Sequence, residues 1–307
     1  SGIMVFGISL LYGLTGELSL PALPTAIAAL GPQGFGAVAV AVTLILAGLA
    51  YKISMVPFHM WTPDVYEGAP VAVAALLSVG PKAAGLALLL RLAQATGEAW
   101  GALLPMVLVL TLATMTLGNV TALLQTNVKR LLAYSTIGQV GYLLIGFAAG
   151  SQAGLQAILV YLVAYMFMNL GAFACVSAVH RETGSESLEA FRGLSARAPL
   201  LAASMAIFLL SLAGIPPLVG FIGKFLLFGA ALEAKLVWLA VGGVLNSALA
   251  LYYYVNIIRL MYLHRSDQGA LQPAWPLRIA VGLCAAATLW LGVFPSTLLA
   301  WFRAIVL

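Results

Sequence analysis

The chain has 307 residues, of which 63% are apolar and only 7% are charged, and its mean hydropathy is +1.07. An ordinary soluble domain has about 25% charged residues, so this composition excludes that class and predicts a membrane protein. The formal net charge of +5 could indicate nucleic-acid binding, but no basic run is longer than the pair Lys129–Arg130. We therefore interpret the basic residues as markers of membrane orientation and expect a lipid bilayer, not nucleic acid, as the partner.

Long apolar segments fill most of the chain and are separated by short polar connectors. The first is shorter than the roughly 20 residues that a transmembrane helix needs, so we expect the chain to begin inside a truncated helix. The segments cover residues 1–14, 35–60, 70–92, 102–124, 128–149, 152–180, 199–231, 236–262 and 275–303. This pattern predicts an all-α polytopic membrane protein with a single membrane domain, 1–307.

Basic residues are distributed unevenly when successive connectors are placed on alternate sides of the membrane. One side receives Lys129, Arg130, Arg181, Arg192, Arg197, Arg259, Arg265 and Arg278. The other side receives Arg91, Lys235 and Arg303. The positive-inside rule then predicts that the loops around residues 64, 127, 190 and 268 are cytoplasmic. The loops around 25, 96, 151 and 234 and the C-terminus are expected outside.

Three further basic residues, Lys52, Lys82 and Lys224, lie well inside apolar segments. A charge at the centre of a bilayer costs at least about 2.5 kcal/mol, so an ionisable residue there is a functional hypothesis by default. Snorkelling to the interface is the alternative; it fits Arg91, near a span end, but not Lys82. We therefore take the three lysines as candidate proton-carrying residues.

No acidic residue is placed to pair with these lysines inside an apolar segment. All nine lie at span ends or in connectors: Glu17, Asp64, Glu67, Glu98, Glu182, Glu186, Glu189, Glu233 and Asp267. Either a partner carboxylate lies upstream or on another subunit, or desolvation keeps some of the lysines neutral.

A helix break is predicted close to Lys52. Pro57 and Pro63 prevent an uninterrupted hydrogen-bond ladder at the end of the segment 35–60. His59 lies between the two prolines, seven residues after Lys52, which would be nearly the same face of a continuous helix. A role for His59 in a proton relay and a structural role near the interface are both open.

A second break is predicted before Lys224, within GIPPLVGFIGK. Gly214, Pro216, Pro217 and Gly220 should unwind the middle of the segment 199–231. Non-helical backbone at membrane depth is tolerated only inside protein or beside water, and paired broken helices indicate a transport site. A single proline kink would mean little, but here each of two breaks adjoins a lysine.

Polar side chains recur along three other spans. They are Tyr161, Tyr165 and Asn169; Asn246, Tyr253 and Asn256; and Tyr134, Ser135, Gln139 and Tyr142. They could hydrogen-bond water or hold helices together, and the sequence leaves both open. The two cysteines, Cys175 and Cys284, show no CxxC spacing, and HExxH is absent from the sequence. We therefore expect no metal and no redox chemistry in this chain.

Four ordered motifs resemble the antiporter-like membrane subunits of respiratory complex I. They are YKISMVPFHMWTPDVYEGAP at 51–70, GPK at 80–82, VKRLLAYSTIGQVGYLLIG at 128–146 and GIPPLVGFIGKF at 214–225. The chain is most similar to the N-type subunits, because Lys224 stands where M-type subunits are expected to have glutamate. The stretch LYYYVNIIRLMY fits the same type, and an L-type subunit should continue into a long lateral helix.

The resemblance implies a fold of fourteen helices containing two inverted five-helix repeats, each with a discontinuous helix. Residues 1–97 would then be the remainder of the first repeat, 98–265 the second repeat and 266–307 a C-terminal transmembrane helix. Lys52 and Lys224 match the lysines of the two broken helices, and Lys82 matches the lysine that connects them. The family's acidic partner of Lys52 belongs to an earlier helix. Asn127 departs from the acid that many relatives carry there, which puts a polar gate in doubt.

The function implied is that of a proton-translocating membrane-arm subunit in the bacterial inner membrane, with its C-terminus on the periplasmic side. Other complex I membrane subunits, including antiporter-like neighbours, would be its partners. NADH, FMN, iron–sulfur clusters and quinone would be bound elsewhere in the complex, and no cofactor in this chain. The alternatives are a multisubunit sodium/proton antiporter, a membrane enzyme, for which clustered catalytic groups are absent from the sequence, and a structural subunit that does not pump.

Overall fold

The computed structural model describes residues 1–266 and 269–306, with side chains up to residue 302, and regular structure in this part of the chain is helical. The α-helices are α1 (Gly2–Thr15), α2 (Leu23–Ala29), α3 (Gly31–Ile53), α4 (Trp61–Gly68), α5 (Val71–Ala122), α6 (Val128–Ala148), α7 (Gln152–Thr183), α8 (Leu194–Arg197), α9 (Pro199–Ala213), α10 (Val219–Glu233), α11 (Val237–Leu263), α12 (Trp275–Val293) and α13 (Pro295–Val306). A short 3-10 helix, Leu188–Phe191, precedes α8. The prediction of an all-α membrane protein is confirmed for these residues.

Six of the described helices are long and apolar enough to cross a membrane: α3, α5, α6, α7, α11 and α12. The 52-residue α5 would measure roughly 78 Å if straight, more than twice the hydrocarbon thickness of a bilayer. It bends at Gly97, whose φ of 45° and ψ of −111° interrupt the helix. Two spans therefore lie on either side of Gly97, as predicted, but the expected polar connector over 93–101 is helical apart from that residue.

The first discontinuous helix is formed by α3 and α4. Helix α3 ends at Ile53, and Ser54 follows in the left-handed conformation with φ 67°. Turns carry the chain over Pro57 to α4, and the Thr62 hydroxyl donates to Ser54 Oγ at 2.6 Å across the gap. The break predicted around Pro57 is confirmed, and it begins immediately after Lys52 and Ile53.

The second discontinuous helix is formed by α9 and α10, which are 15 residues each. Gly214 ends α9 with φ 91°, a conformation that favours glycine, and Pro216 and Pro217 lie in the non-helical gap. Gly220 was also expected to unwind this span, but it lies in α10. Its role is close packing: a Cβ at Gly220 would collide with the Ser211 carbonyl oxygen.

Helix α6 occupies the centre of the molecule, and nearly all of its residues are buried. Helix α5 packs closely along it, because a Cβ at Gly118 would lie 2.5 Å from the Gly138 nitrogen. Helices α7, α10 and α11 also contact α6. Side chains of α6 therefore face several membrane-spanning helices at once, which places its polar residues at the junction of the bundle.

The C-terminal segment differs from the single span predicted over 275–303. Helix α12 ends at Val293, Phe294 leaves the helical conformation with φ −119° and ψ 63°, and Pro295 begins α13. Proline has no backbone N–H to continue the ladder of α12, which explains the interruption.

Loops predicted to share one membrane face lie together at one end of the molecule. Arg130 pairs with Asp64 and Glu67, Leu188 N donates to Thr126 O, and Leu271 N donates to Arg197 O. Asp267 and the centre of the loop predicted around residue 268 lie outside the described residues. These contacts group the basic loops at one end of the described chain.

Candidate functional site: two buried lysines

Lys82 lies on α5 immediately after Pro81 and is completely buried. Its amine lies 4.8 Å from the centre of the Trp61 ring and 5.4 Å from that of Tyr66. Both aromatic residues belong to α4, so the second half of the first discontinuous helix covers this lysine. The negative face of an aromatic ring favours a cation, and this attraction strengthens when water is excluded.

Several polar atoms of this region have no hydrogen-bond partner among the described residues. They are Lys82 Nζ, Tyr66 OH, Asn169 Oδ1 and His59 Nδ1, together with His180 Nδ1 at the end of α7. Buried polar atoms are almost always satisfied by protein or water, and an unpaired one is costly. The group around Lys82 therefore has the chemistry of a site that takes up water molecules.

Lys224 lies on α10 and is also buried, with 3% of its surface exposed. It donates hydrogen bonds to the Ala213 carbonyl at 3.2 Å and to Ser247 Oγ at 3.1 Å, and it lies 4.1 Å from the centre of the Tyr142 ring. Ala213 is the last residue of α9, and the final carbonyls of a helix carry partial negative charge. The break at Gly214 thus exposes an acceptor to this lysine.

Gly214 is required beside Lys224 for a second reason. A Cβ at this position would lie 3.0 Å from Lys224 Cδ. The left-handed conformation and the close approach of the lysine therefore both favour glycine here, and the sequence signal GIPP corresponds to this contact.

Polar side chains lead from the Lys82 region into α6. Ser78 lies one turn before Lys82 on α5 and accepts a hydrogen bond from Asn169 Nδ2 at 2.5 Å. On the same helix as Asn169, Tyr165 donates to Thr136 Oγ1 at 2.9 Å. Thr136 belongs to α6, so this first group of contacts joins α5, α7 and α6.

A second group continues from α6 towards Lys224. Gln139 lies one turn after Thr136, accepts a hydrogen bond from Tyr161 and donates to the Tyr254 hydroxyl at 3.3 Å. The Ser135 and Tyr254 hydroxyls are 2.5 Å apart.

A third group ends at Lys224 itself. Tyr253 packs against the Tyr254 ring and donates to Asn119 Oδ1 at 3.0 Å. Asn119 donates in turn to Tyr142 OH at 3.2 Å, and the Tyr142 ring faces Lys224.

The polar residues predicted on the spans thus fall into two sets. Tyr161, Tyr165, Asn169, Ser135, Gln139, Tyr142, Asn246 and Tyr253 are buried and take part in hydrogen bonds between helices. Tyr134 and Asn256 are only half-buried, and Tyr134 faces Arg130.

Lys52 differs from the expectation that it is buried. Its side chain is exposed at the surface of the described chain, like that of Tyr51, although Ala50 and Ile53 are buried. Helix α3 packs against α1 and α5, and Lys52 projects on a side that they leave open. Lys52 still adjoins the other lysine site, because Lys52 Cβ and Ile53 lie against Gly85, one turn after Lys82.

His59 is buried but does not continue the face of Lys52. Helix α3 ends at Ile53, so the seven-residue spacing has no helical meaning, as the predicted break implies. Its backbone carbonyl accepts from Thr62 N at 3.0 Å and helps to begin α4. His59 therefore lies between the break after Ile53 and the start of α4, and its ring Nδ1 has no partner among the described residues.

A buried ion pair joins Lys129 to Glu186. From the sequence, Lys129 was expected only to mark membrane orientation and Glu186 only to lie in a connector. The two groups are 2.6 Å apart, with 4% and 11% of their side chains exposed. Lys129 also donates to the Ala69 carbonyl at 2.9 Å, which ties the end of α4 to this pair. His180, at the end of α7, lies 3.6 Å from the same carboxylate.

Asn127 caps α6 by accepting a hydrogen bond from Arg130 N at 3.0 Å. Its amide group also lies 3.5 Å from Glu186 Oε2. The carboxylate absent at position 127 is thus present beside it, supplied by the loop after α7. No local pattern could have indicated this, because residues 127 and 186 are brought together only by the fold.

Within the described residues, no group of three or more His, Cys, Asp or Glu side chains could hold a metal ion. The chemistry of the site is that of buried amines, hydroxyls and amides beside interrupted helices. Partners of the lysines that the sequence did not identify are Trp61, Tyr66 and Ser247, each contributed by a different part of the fold from its lysine.

These features define an antiporter-like multi-pass membrane protein, in which two discontinuous helices lie beside lysines within a helical bundle. The sequence model of the NADH:quinone oxidoreductase/Mrp antiporter transmembrane family matches residues 1–250. The chain therefore belongs to this family.

The chain is similar to proteins of two kinds of membrane complex, NADH-quinone oxidoreductases and an Mrp complex. It is 52% identical to NADH-quinone oxidoreductase subunit N 2 of Sorangium cellulosum, covering 96% of this chain and 61% of that protein. It matches a chain of respiratory complex I from Thermus thermophilus with 35% identity and a TM-score of 0.82, covering 97% of this chain and 65% of that one. It also matches a chain of the Mrp complex from Dietzia with 26% identity and a TM-score of 0.89, covering 99% and 65%. The chain thus spans less than two thirds of the length of each.

Proposed function

We propose that this chain translocates protons as part of the membrane arm of NADH:quinone oxidoreductase. The observation that supports the proposal most directly is the set of buried polar side chains leading from the region of Lys82 to Lys224. A purely packed bundle does not need two buried amines, and each is costly at membrane depth. Curated relatives at 42–52% identity are named as subunit N or subunit 2 of such oxidoreductases.

The lysines act as sites that gain and lose a proton in turn. A charge on one disfavours a charge on its neighbour, so protonation of one site promotes release from the next. At Lys224 the charged form is favoured by the Ala213 carbonyl, Ser247 and the Tyr142 ring. At Lys82 the aromatic rings favour it, with water completing the unpaired polar atoms.

Lys52 supplies the entry to this series, next to the first discontinuous helix. Its exposed side chain is available for a carboxylate partner from a further helix or from a neighbouring membrane subunit. A change in that ion pair, driven by quinone reduction elsewhere in the complex, alters the proton affinity of Lys82 and then of Lys224. Protons pass between the sites through water and the hydroxyl-rich groups of α6, α7 and α11.

The remaining assignments follow from the same proposal. The protein lies in the bacterial cytoplasmic membrane, with its C-terminus on the periplasmic side, and contacts other membrane subunits of the complex. NADH, FMN, iron–sulfur clusters and quinone are bound by other parts of the complex. The division into a first repeat over 1–97, a second over 98–265 and a C-terminal part over 266–307 places the bend at Gly97 at the repeat boundary.

The test is proton translocation per NADH oxidised, measured in proteoliposomes that contain the assembled complex. Lys52→Ala, Lys82→Ala and Lys224→Ala should each lower pumping together with coupled turnover. Lys235→Ala is the matched control, because Lys235 is exposed at the start of α11. Wild-type stoichiometry in all three site variants would contradict the proposal and favour a structural subunit.

A sodium/proton antiporter subunit is the second candidate, because the Mrp chain has a TM-score of 0.89 to this one. The two functions differ in their driving process. Proton movement that depends on an opposing sodium gradient and persists without NADH would favour the antiporter. Movement that requires NADH and is unaffected by replacing sodium with potassium would favour the oxidoreductase.

A further inference from the structure

A groove of about 380 Å³ opens between the beginning of α9 and the first turns of α12, and none of its lining residues contacts Lys82 or Lys224 in the described chain. Leu201, Leu271 and Val281 contribute apolar surface to it. At Gly282 the groove has space for a ligand, because no atom of the described chain lies within 4 Å of the position of a Cβ there. The groove therefore lies between two helices, and side chains do not fill the part of it beside α12.

Two arginines stand at this groove. Arg197 is 8% exposed and donates from Nη1 to the Ala190 carbonyl at 3.1 Å. Arg278 is exposed and donates from Nε to the Pro273 carbonyl at 2.7 Å. Backbone carbonyls hold both guanidinium groups, and neither forms an ion pair with a carboxylate of residues 1–266 or 269–302.

This arrangement suits an anion. A guanidinium group has five N–H donors, and the hydrogen bonds to backbone carbonyls engage two nitrogens of Arg197 and one of Arg278. Arg197 is largely buried and has no carboxylate partner in residues 1–266 and 269–302, so its charge favours a negatively charged ligand at the groove. Planar guanidinium groups are well suited to phosphate oxygens, which they can contact through paired hydrogen bonds.

The surroundings of the groove indicate that the anion is attached to an apolar chain. Leu200, which lines the groove, is 85% exposed, and Trp275 at the start of α12 is 73% exposed. Tryptophan is enriched at the boundary between lipid headgroups and acyl chains. A basic pocket between transmembrane helices at that level is suited to a lipid headgroup, whereas a free anion would gain nothing from the apolar wall.

We infer that the groove binds an anionic phospholipid, with its phosphate group on Arg197 and Arg278 and an acyl chain along α12 at Gly282. The charge of the arginines selects anionic over zwitterionic lipids. The open wall at Gly282 provides space for the acyl chain. The site is separate from the proton-carrying residues, so it can be tested by lipid binding alone.

The first experiment measures lipid binding to the delipidated intact protein in detergent by native mass spectrometry. The probes are phosphatidylglycerol and phosphatidylcholine at equal concentrations. Arg278→Gln should lose one tightly bound phosphatidylglycerol, with its affinity reduced about tenfold, as for a lost charge-assisted hydrogen bond. Arg181→Gln removes a charge at the exposed end of α7 and should bind like the wild type. Equal binding of the two lipids by the wild type would overturn the inference.

A second variant fills the groove and leaves its charges in place. Gly282→Leu has room for its side chain in the empty groove and should lose the same phosphatidylglycerol. Gly229→Leu is the control, because Gly229 on α10 also has open space at the Cβ position and lies outside the groove. An unchanged count of bound phosphatidylglycerol in both Arg278→Gln and Gly282→Leu would overturn the inference.

Other occupants give different results. Displacement of phosphatidylglycerol by millimolar inorganic phosphate would show a simple anion site and overturn the role of the acyl chain. A photo-reactive amino acid at Leu200 in native membranes should form adducts with phospholipid. Adducts with a protein subunit instead would show that a neighbouring polypeptide covers the groove, again overturning the inference.

Discussion

The two buried lysines are bound in different ways, although both lie beside discontinuous helices. Lys224 has a helix-end carbonyl, a hydroxyl and an aromatic ring within contact distance. Lys82 has two aromatic rings and no hydrogen-bond partner among the described residues. One amine is therefore solvated by fixed protein dipoles, and the other depends on ring faces and on whatever water enters its site.

The difference follows from the position of each lysine relative to its helix break. Lys224 belongs to the discontinuous helix itself, so the carbonyl freed at the end of α9 is available to it. Lys82 lies within a helical stretch of α5, away from the ends of the discontinuous helices, and the side chains observed against its amine are the Trp61 and Tyr66 rings of α4. The break thus supplies polar groups to one lysine and an aromatic cover to the other.

The largest expected effect is a difference in the free energy of unfolding between variants that replace one lysine or the other. Both Lys82→Met and Lys224→Met remove a buried amine, but only Lys224→Met leaves a carbonyl and a hydroxyl without their partner. An unpaired buried polar group costs about 1–3 kcal/mol, so Lys224→Met should be the less stable variant by that amount. Thermal unfolding of the two purified variants in the same detergent measures the difference. Equal melting temperatures would mean that the contacts of Lys224 contribute nothing to stability.

The next effect concerns the backbone beside each lysine. Gly214→Ala forces a side chain into the left-handed conformation, at a cost of about 1–2 kcal/mol. It also brings a methyl group against Lys224, so proton translocation should fall as well. Gly80→Ala, two residues before Lys82, is the comparison within a helix: apart from its chain neighbours, the nearest atom to the new Cβ is 3.8 Å away, but Pro81 follows it directly.

Gly80→Ala should change stability by less than about 1 kcal/mol, because the higher helix propensity of alanine is opposed by contact of its Cβ with the Pro81 ring. Only Gly214→Ala is thus expected to lower the melting temperature clearly. A loss of stability in both would indicate that the bundle rejects any added methyl group, irrespective of helix breaks.

Much of this arrangement could be predicted from the sequence, since it depends on local chemistry. Glycine and proline at 214, 216 and 217 predict the second break, and the apolar segments predict the spans. The region around Gly97 in α5 was predicted less well. A polar connector was expected there, but the helix continues through it because both of its ends are anchored by packing.

The contacts of the lysines could not be predicted, because they join residues that are distant in the chain. Ser247 is 23 residues from Lys224, and the partner of Lys129 is 57 residues away. The exposure of Lys52 could not be predicted either. Hydropathy shows that a segment is apolar, but it does not show which face of the helix is covered by other helices. Sequence patterns thus identified the lysines, and the fold determines what surrounds them.

A smaller effect on stability is expected when the hydroxyl groups of the tyrosines beside the lysines are removed and their rings are kept. Tyr66→Phe and Tyr142→Phe both keep a ring beside the lysine. Tyr142→Phe removes the acceptor of a hydrogen bond from Asn119 and should cost about 1 kcal/mol. Tyr66→Phe removes a hydroxyl that has no partner in the described chain, so stability should be unchanged or raised. A loss in Tyr66→Phe matching that in Tyr142→Phe would show that water firmly binds the Tyr66 hydroxyl.

The smallest effect is expected from Ser247→Ala, a substitution that makes the surroundings of Lys224 more like those of Lys82. Ser247→Ala removes one hydrogen bond from Lys224 and keeps the Ala213 carbonyl and the Tyr142 ring, so it should cost about 0.5–1.5 kcal/mol. In a Lys224→Met background the hydroxyl has already lost this partner, so the same substitution should cost nothing or raise stability. The double-mutant cycle in thermal unfolding therefore measures the coupling of lysine and hydroxyl. Equal costs in both backgrounds would show that the 3.1 Å contact does not stabilise the protein, and that the two lysine sites differ less in energy than in geometry.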